Sequence, residues 1–112
     1  MDDRIIILEE NYNEYFESAE RAFSEKKFNV ASILYFKAIC VGIDIFILKK
    51  EKFVPTSHTN RFRIIQDKYP LLYNIVDKDF PFYQDSYTKK LNHETAEVLR
   101  NDARGIKKMF EK

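Results

Sequence analysis

The stretch Val30-Ala31-Ser32-Ile33-Leu34-Tyr35-Phe36-Lys37-Ala38-Ile39-Cys40-Val41-Gly42-Ile43-Asp44-Ile45-Phe46-Ile47-Leu48 decides the fold. Lys37 and Asp44 are its only charges, and its length is close to that of an apolar helix spanning a bilayer. Two charges in the middle of such a run are costly in lipid. The stretch therefore reads as the buried central helix of a soluble bundle rather than a membrane span. Lys37 and Asp44, seven residues apart, share one helical face and need partners within the chain or across an interface. Ala31, Ala38 and Gly42 form a small-residue stripe on another side, suited to close packing within the chain or to a dimer seam.

Working outward, Ile5, Leu8, Tyr12, Phe16, Ala19 and Phe23 recur at helical spacing with glutamates between them, which predicts a first helix ending near Lys26. A short connection at Lys27-Phe28-Asn29, with Asn29 as N-cap, leads into the central helix and makes the two antiparallel neighbours. Pro55-Thr56-Ser57 breaks the pattern and caps a third helix from His58 to Lys68. Leu71, Leu72, Ile75 and Val76 suggest a short fourth element, stopped at Asp79-Phe80-Pro81, with Tyr83, Tyr87 and Leu91 carrying a new turn onward. Asn92 then caps a last helix with Ala96, Leu99, Ala103, Ile106 and Phe110 on its buried face. No β-type alternation of useful length appears. The expectation is one all-α domain over residues 1–112, an up-and-down bundle of four main helices plus a short one.

Composition narrows the chemistry. Nineteen bases against eighteen acids give a net charge of +1, which argues against bulk coating of nucleic acid. Ten Phe and seven Tyr argue against disorder. The single Cys40 excludes an internal disulfide, and it fits a reducing cytoplasm. Met1-Asp2-Asp3-Arg4 lacks the basic region of a secretory signal, so no export is expected. With only Gly42 and Gly105 there is no glycine-rich phosphate loop. Neither His58 nor His93 follows an acid at the spacing of a di-iron bundle, and no zinc-protease or serine-hydrolase motif occurs. No metal, cofactor or catalytic group is therefore assigned, and Cys40 in its apolar surroundings reads as a small buried hydrophobe.

Charge is unevenly spread: residues 1–25 hold eight acids and two bases, a balance of −6, and the rest of the chain carries +7. On the last helix His93, Arg100, Arg104 and Lys107 fall in one narrow sector, with Lys89 and Lys90 just before the helix start. This basic stripe is a candidate phosphate site. The same residues also suit a helix surface and its dipole. His58 is placed on the inward side of the third helix with Phe62 and Ile65, either meeting a ligand or satisfying a neighbour, while Arg61 lies at the margin and Arg63 outside.

Asn29-Val30-Ala31-Ser32-Ile33-Leu34-Tyr35-Phe36-Lys37-Ala38 followed by Pro55-Thr56-Ser57-His58 at a helix start resembles HEPN domains, in particular their small stand-alone prokaryotic branch. Tyr12 to Phe28 looks like that branch's opening helix, and Ala96 to Phe110 like its closing one. The resemblance implies a helical homodimer associated with RNA or nucleotides: metal-independent ribonuclease toxins of toxin–antitoxin systems in some branches, companions of minimal nucleotidyltransferases in others. The ribonuclease branch uses an Arg and a following His with four to six residues between them. Here Thr88, Tyr87 and Ser86 precede His93, and Phe53, Lys52 and Glu51 precede His58, so the pair is missing. The Arg that the stand-alone branch places five residues before a Tyr is Phe82 here. The expectation is thus a HEPN-like binding or accessory module without nuclease activity. Arg61, Lys89, Lys90, Arg100 and Arg104 would hold phosphate, and His58, Tyr87 and His93 would be secondary contacts, with Tyr83 or Tyr87 stacking bases. Two alternatives stand beside it: a structural module that binds a protein through its acidic first helix, and a degenerate metal-independent ribonuclease.

Overall fold

The computed structural model describes residues 2–112 and contains five helices: α1 (Asp3–Ser24), α2 (Phe28–Glu51), α3 (His58–Lys68), α4 (Pro70–Asp85) and α5 (His93–Phe110). Among the described residues there is no strand. The fold is an all-α bundle, as the periodicities predict.

The long apolar stretch lies within α2, and thirteen of that helix's residues are buried. By length and composition α2 is able to cross a membrane, yet most of its apolar length is covered by the other helices. It packs against α1 and α5, and the α3–α4 hairpin covers its remaining side. Inter-helix pairs set the directions. Tyr12 meets Phe110 and Phe23 meets His93, so α1 runs against α5. Asn29 reaches Ser86 while Phe46 meets Tyr69, so α4 runs against α2. The four longer helices thus alternate in direction. Short α3 runs with α2, since Asp44 pairs with Arg61 and Glu51 with Lys68 at the same offset along the chain.

The small-residue stripe is an internal seam. Ala31 and Ala38 have no exposed surface, and a Cβ added at Gly42 would lie 2.5 Å from Ile106 Cγ2 of α5. Ser57 caps α3 by accepting from Asn60 N–H, and Asn92 caps α5 by accepting from Thr95 N–H, both as expected.

Two local expectations are corrected. Asn29 does not cap α2: the helix starts at Phe28 with no side-chain cap. The amide of Asn29 instead donates to the carbonyls of Ser86 and Lys89 and accepts from Leu91 N–H, tying down the α4–α5 connection. Nor does α4 stop before Pro81, which sits inside one continuous helix. The proline is exposed, as is Asp77 four residues earlier, so the carbonyl left without an N–H partner lies on the solvent side where water can satisfy it.

Candidate functional site

The residues singled out by the sequence fall into three separate places. Arg100 and Arg104 form the first. Arg100 binds the Glu20 carboxylate through two hydrogen bonds of 2.7 and 2.8 Å, and its guanidinium lies over the Phe23 ring. Arg104 stands 3.5 Å from the same carboxylate. The Tyr35 hydroxyl also donates to Glu20. Glu20 is therefore held below its usual pKa, the hydrogen bonds from Arg100 and Tyr35 outweighing the opposing effect of burial. Arg100 is an internal ion-pair partner rather than a free phosphate ligand, because a carboxylate already occupies its planar fork. Arg104 keeps an open side, toward a hollow of about 440 Å³ between α1 and α5 that Lys107 and Lys108 also line.

The second place is the end of the bundle where α2 begins. Lys90 lines a shallow hollow of about 300 Å³ with Lys26 and Lys27. Lys89 pairs with Asp85 at 3.4 Å. The His93 ring packs against Phe23 and Phe28, with centroids at 5.0 and 5.7 Å. Nine residues of α2, about 13 Å of helix, separate Phe28 from Lys37 and hence this end from the third place.

The third place is a cleft of about 160 Å³ at the middle of α2, open between α1 and the α3–α4 hairpin. Four helices build it: Tyr15 comes from α1, Phe36, Lys37, Cys40 and Val41 from α2, His58 from the first turn of α3, and Tyr83 from α4. Phe36 and Tyr83 stack at 4.9 Å. The Tyr83 hydroxyl lies 3.1 Å from that of Tyr87, a residue that at 72% is strongly exposed for a large hydrophobic one. The hydrogen bond to Tyr87, then partial burial, raises the Tyr83 pKa, so the phenol stays neutral. Burial also pushes the Cys40 thiol up to about 11, leaving it protonated at neutral pH and a poor nucleophile.

Arg61 is not marginal, as the helical pattern suggested. Its guanidinium donates to both oxygens of Asp44 at 2.7 and 2.8 Å, with side chains only 12% and 10% exposed. Arg61 Nη1 also lies 2.8 Å from His58 Nδ1. Burial first, then the neighbouring Arg61 and Lys37 charges, lower the His58 pKa. A guanidinium has no acceptor, so Nδ1 must accept and the imidazole carries its proton on Nε2. Lys37, among the described residues, has no carboxylate within 4 Å. The groups on hand are thus an ammonium, an imidazole N–H and tyrosine hydroxyls, set among aromatic rings. Such a set suits an anion joined to a flat ring.

Sequence reasoning named His58 and Tyr83 but missed Lys37 as the cation of the cleft and Tyr15 as its wall. Lys37 carried one signal, an isolated charge in an apolar helix; Tyr15 carried none. No group of three or more metal-binding side chains occurs among the described residues. Comparison with protein-family models, curated proteins and solved structures returned no match.

Proposed function

We propose that this chain is a HEPN-like binding module that holds a phosphate-bearing ligand, single-stranded RNA or a nucleotide, in the α1/α3–α4 cleft without cleaving it. The observation that carries the reading is the convergence of Lys37, His58 and Tyr83 from three helices, with His58 held as a hydrogen-bond donor by the Asp44–Arg61 pair. Lys37 and the His58 N–H would take the phosphate, and Tyr83 with exposed Tyr87 would stack a base. Lys90 with Lys26 and Lys27, and Arg104 with Lys107, would add cations along a longer strand. The homodimer and the nucleotidyltransferase companion implied by the resemblance belong to the same proposal, and sedimentation giving only monomer at high concentration would contradict the dimer.

The test is titration of labelled short RNA and of nucleotides at low salt. Binding should weaken steeply as salt rises and should fall in Lys37→Ala, while Arg63→Ala on the outer side of α3 should leave it unchanged.

One observation favours the protein-interaction reading instead: Glu10, Glu14 and Glu17 stand exposed on α1 with no base within 4 Å among the described residues. Absence of RNA and nucleotide binding would leave that reading in place.

A further inference from the structure

Asp79 points from α4 into the interior with no exposed surface, and no donor of the protein reaches either of its oxygens. The group facing it is a second carboxyl, Asp102 of α5, whose Oδ2 is itself buried and lies 3.0 Å from Lys78 Nζ. Lys78 is 3.9 Å from Asp79 Oδ1, beyond hydrogen-bond reach.

No other charge compensates the pair. From α2, the only charged side chain between Phe28 and Ile43 is Lys37, which lies in the cleft. From α3, Phe62 packs on Tyr73 and Phe80 of α4, while Arg61 is taken by Asp44. Asp79 is wholly buried beside the second carboxyl, and the single ammonium nearby stands half exposed, so the pair keeps an uncompensated negative charge that a proton is the smallest species to remove. Burial first, then Asp102, raise the Asp79 pKa to about 9. At neutral pH Asp79 is therefore a carboxylic acid donating to the Asp102 carboxylate, which Lys78 balances.

We propose that this shared proton latches α4 onto α5, so that α4 opens only by giving it up. The two helices meet along a short seam, and Tyr83 of the cleft lies one turn along α4 from Asp79. The latch therefore governs an element that the cleft depends on. It is a property of the fold, and its test uses no ligand.

The sign follows from linkage. A carboxyl with a raised native pKa binds a proton in the closed state and releases it on opening, so opening becomes easier as pH rises. Hydrogen exchange on the full chain, corrected for intrinsic rates, should show α4 protection falling about tenfold per pH unit from just above the ordinary aspartate value of about 3.9 up to the native pKa and levelling beyond it. Protection of α1 and α2 should change less. In Asp79→Asn the α4 profile should be flat, because an amide donates to Asp102 without ionising. Carboxyl-carbon NMR of the unaltered protein should show one aspartate titrating far above the ordinary value of about 3.9. That spectrum decides the matter even where the variant fails to fold. All aspartates titrating normally, α4 protection independent of pH, or the same loss in Asp79→Asn would each overturn the proposal.

Discussion

Arg61 Nη1 sits 2.8 Å from His58 Nδ1, while the rest of the same guanidinium grips Asp44. A base in catalysis must offer a lone pair, and here the imidazole lone pair is spent on a cation that never deprotonates. His58 is consequently arranged to donate, and the lowered pKa keeps it neutral while doing so. This arrangement agrees with the proposed binding role and leaves His58 without the lone pair that proton abstraction needs.

The purified protein should therefore leave RNA intact in the absence of metal. His93 stands exposed beside Phe23 and Phe28 where α2 begins, away from the Lys37 and Tyr83 of the cleft. Incubation with labelled RNA in chelator checks this, and cleavage abolished by His58→Ala or His93→Ala would contradict it.

Removing one half of the Asp44–Arg61 pair should cost far more than a surface ion pair. Asp44→Ala strands a guanidinium at a site where both side chains are nearly buried, with an expected loss of about 3 kcal/mol. Urea unfolding should show the midpoint dropping accordingly, whereas Glu25→Ala, which breaks an exposed pair with Lys27, should leave the midpoint nearly unchanged.

How far the sequence carries the reader differs between fold and site. Helix starts at Ser57 and Asn92 were legible because a capping side chain acts within three residues of itself. Burial of α2 was legible because a helix apolar nearly all round must be enclosed. The fate of Arg61 and Arg100 was not, since their partners lie 17 and 80 residues away. Glu20 looked like one of many solvated acids on α1, and nothing local distinguishes the one that a tyrosine and two arginines surround. Pro81 misled for a related reason: whether a proline ends a helix depends on which side its orphaned carbonyl faces, and tertiary packing decides that.

The two glycines should respond with opposite signs to the same change. At Gly42 the new methyl would press on Ile106 and Phe110 in the α2–α5 seam, so Gly42→Ala should destabilise by about 1–3 kcal/mol. At Gly105 nothing lies within 4 Å of the added carbon, and Gly105→Ala should stabilise α5 by about 0.5–1 kcal/mol. Thermal melts of the two variants beside the parent provide the check.

The central claim is tested most directly by backbone-amide NMR during titration with a short single-stranded RNA at low salt. The account predicts chemical-shift changes concentrated at Lys37, His58, Tyr83 and Tyr87, and a loss of affinity of about tenfold in Lys37→Ala, as expected for one charge-assisted hydrogen bond. Shifts confined to the α1–α5 face around Arg100 and Arg104, or none at saturating RNA and nucleotide, would contradict it.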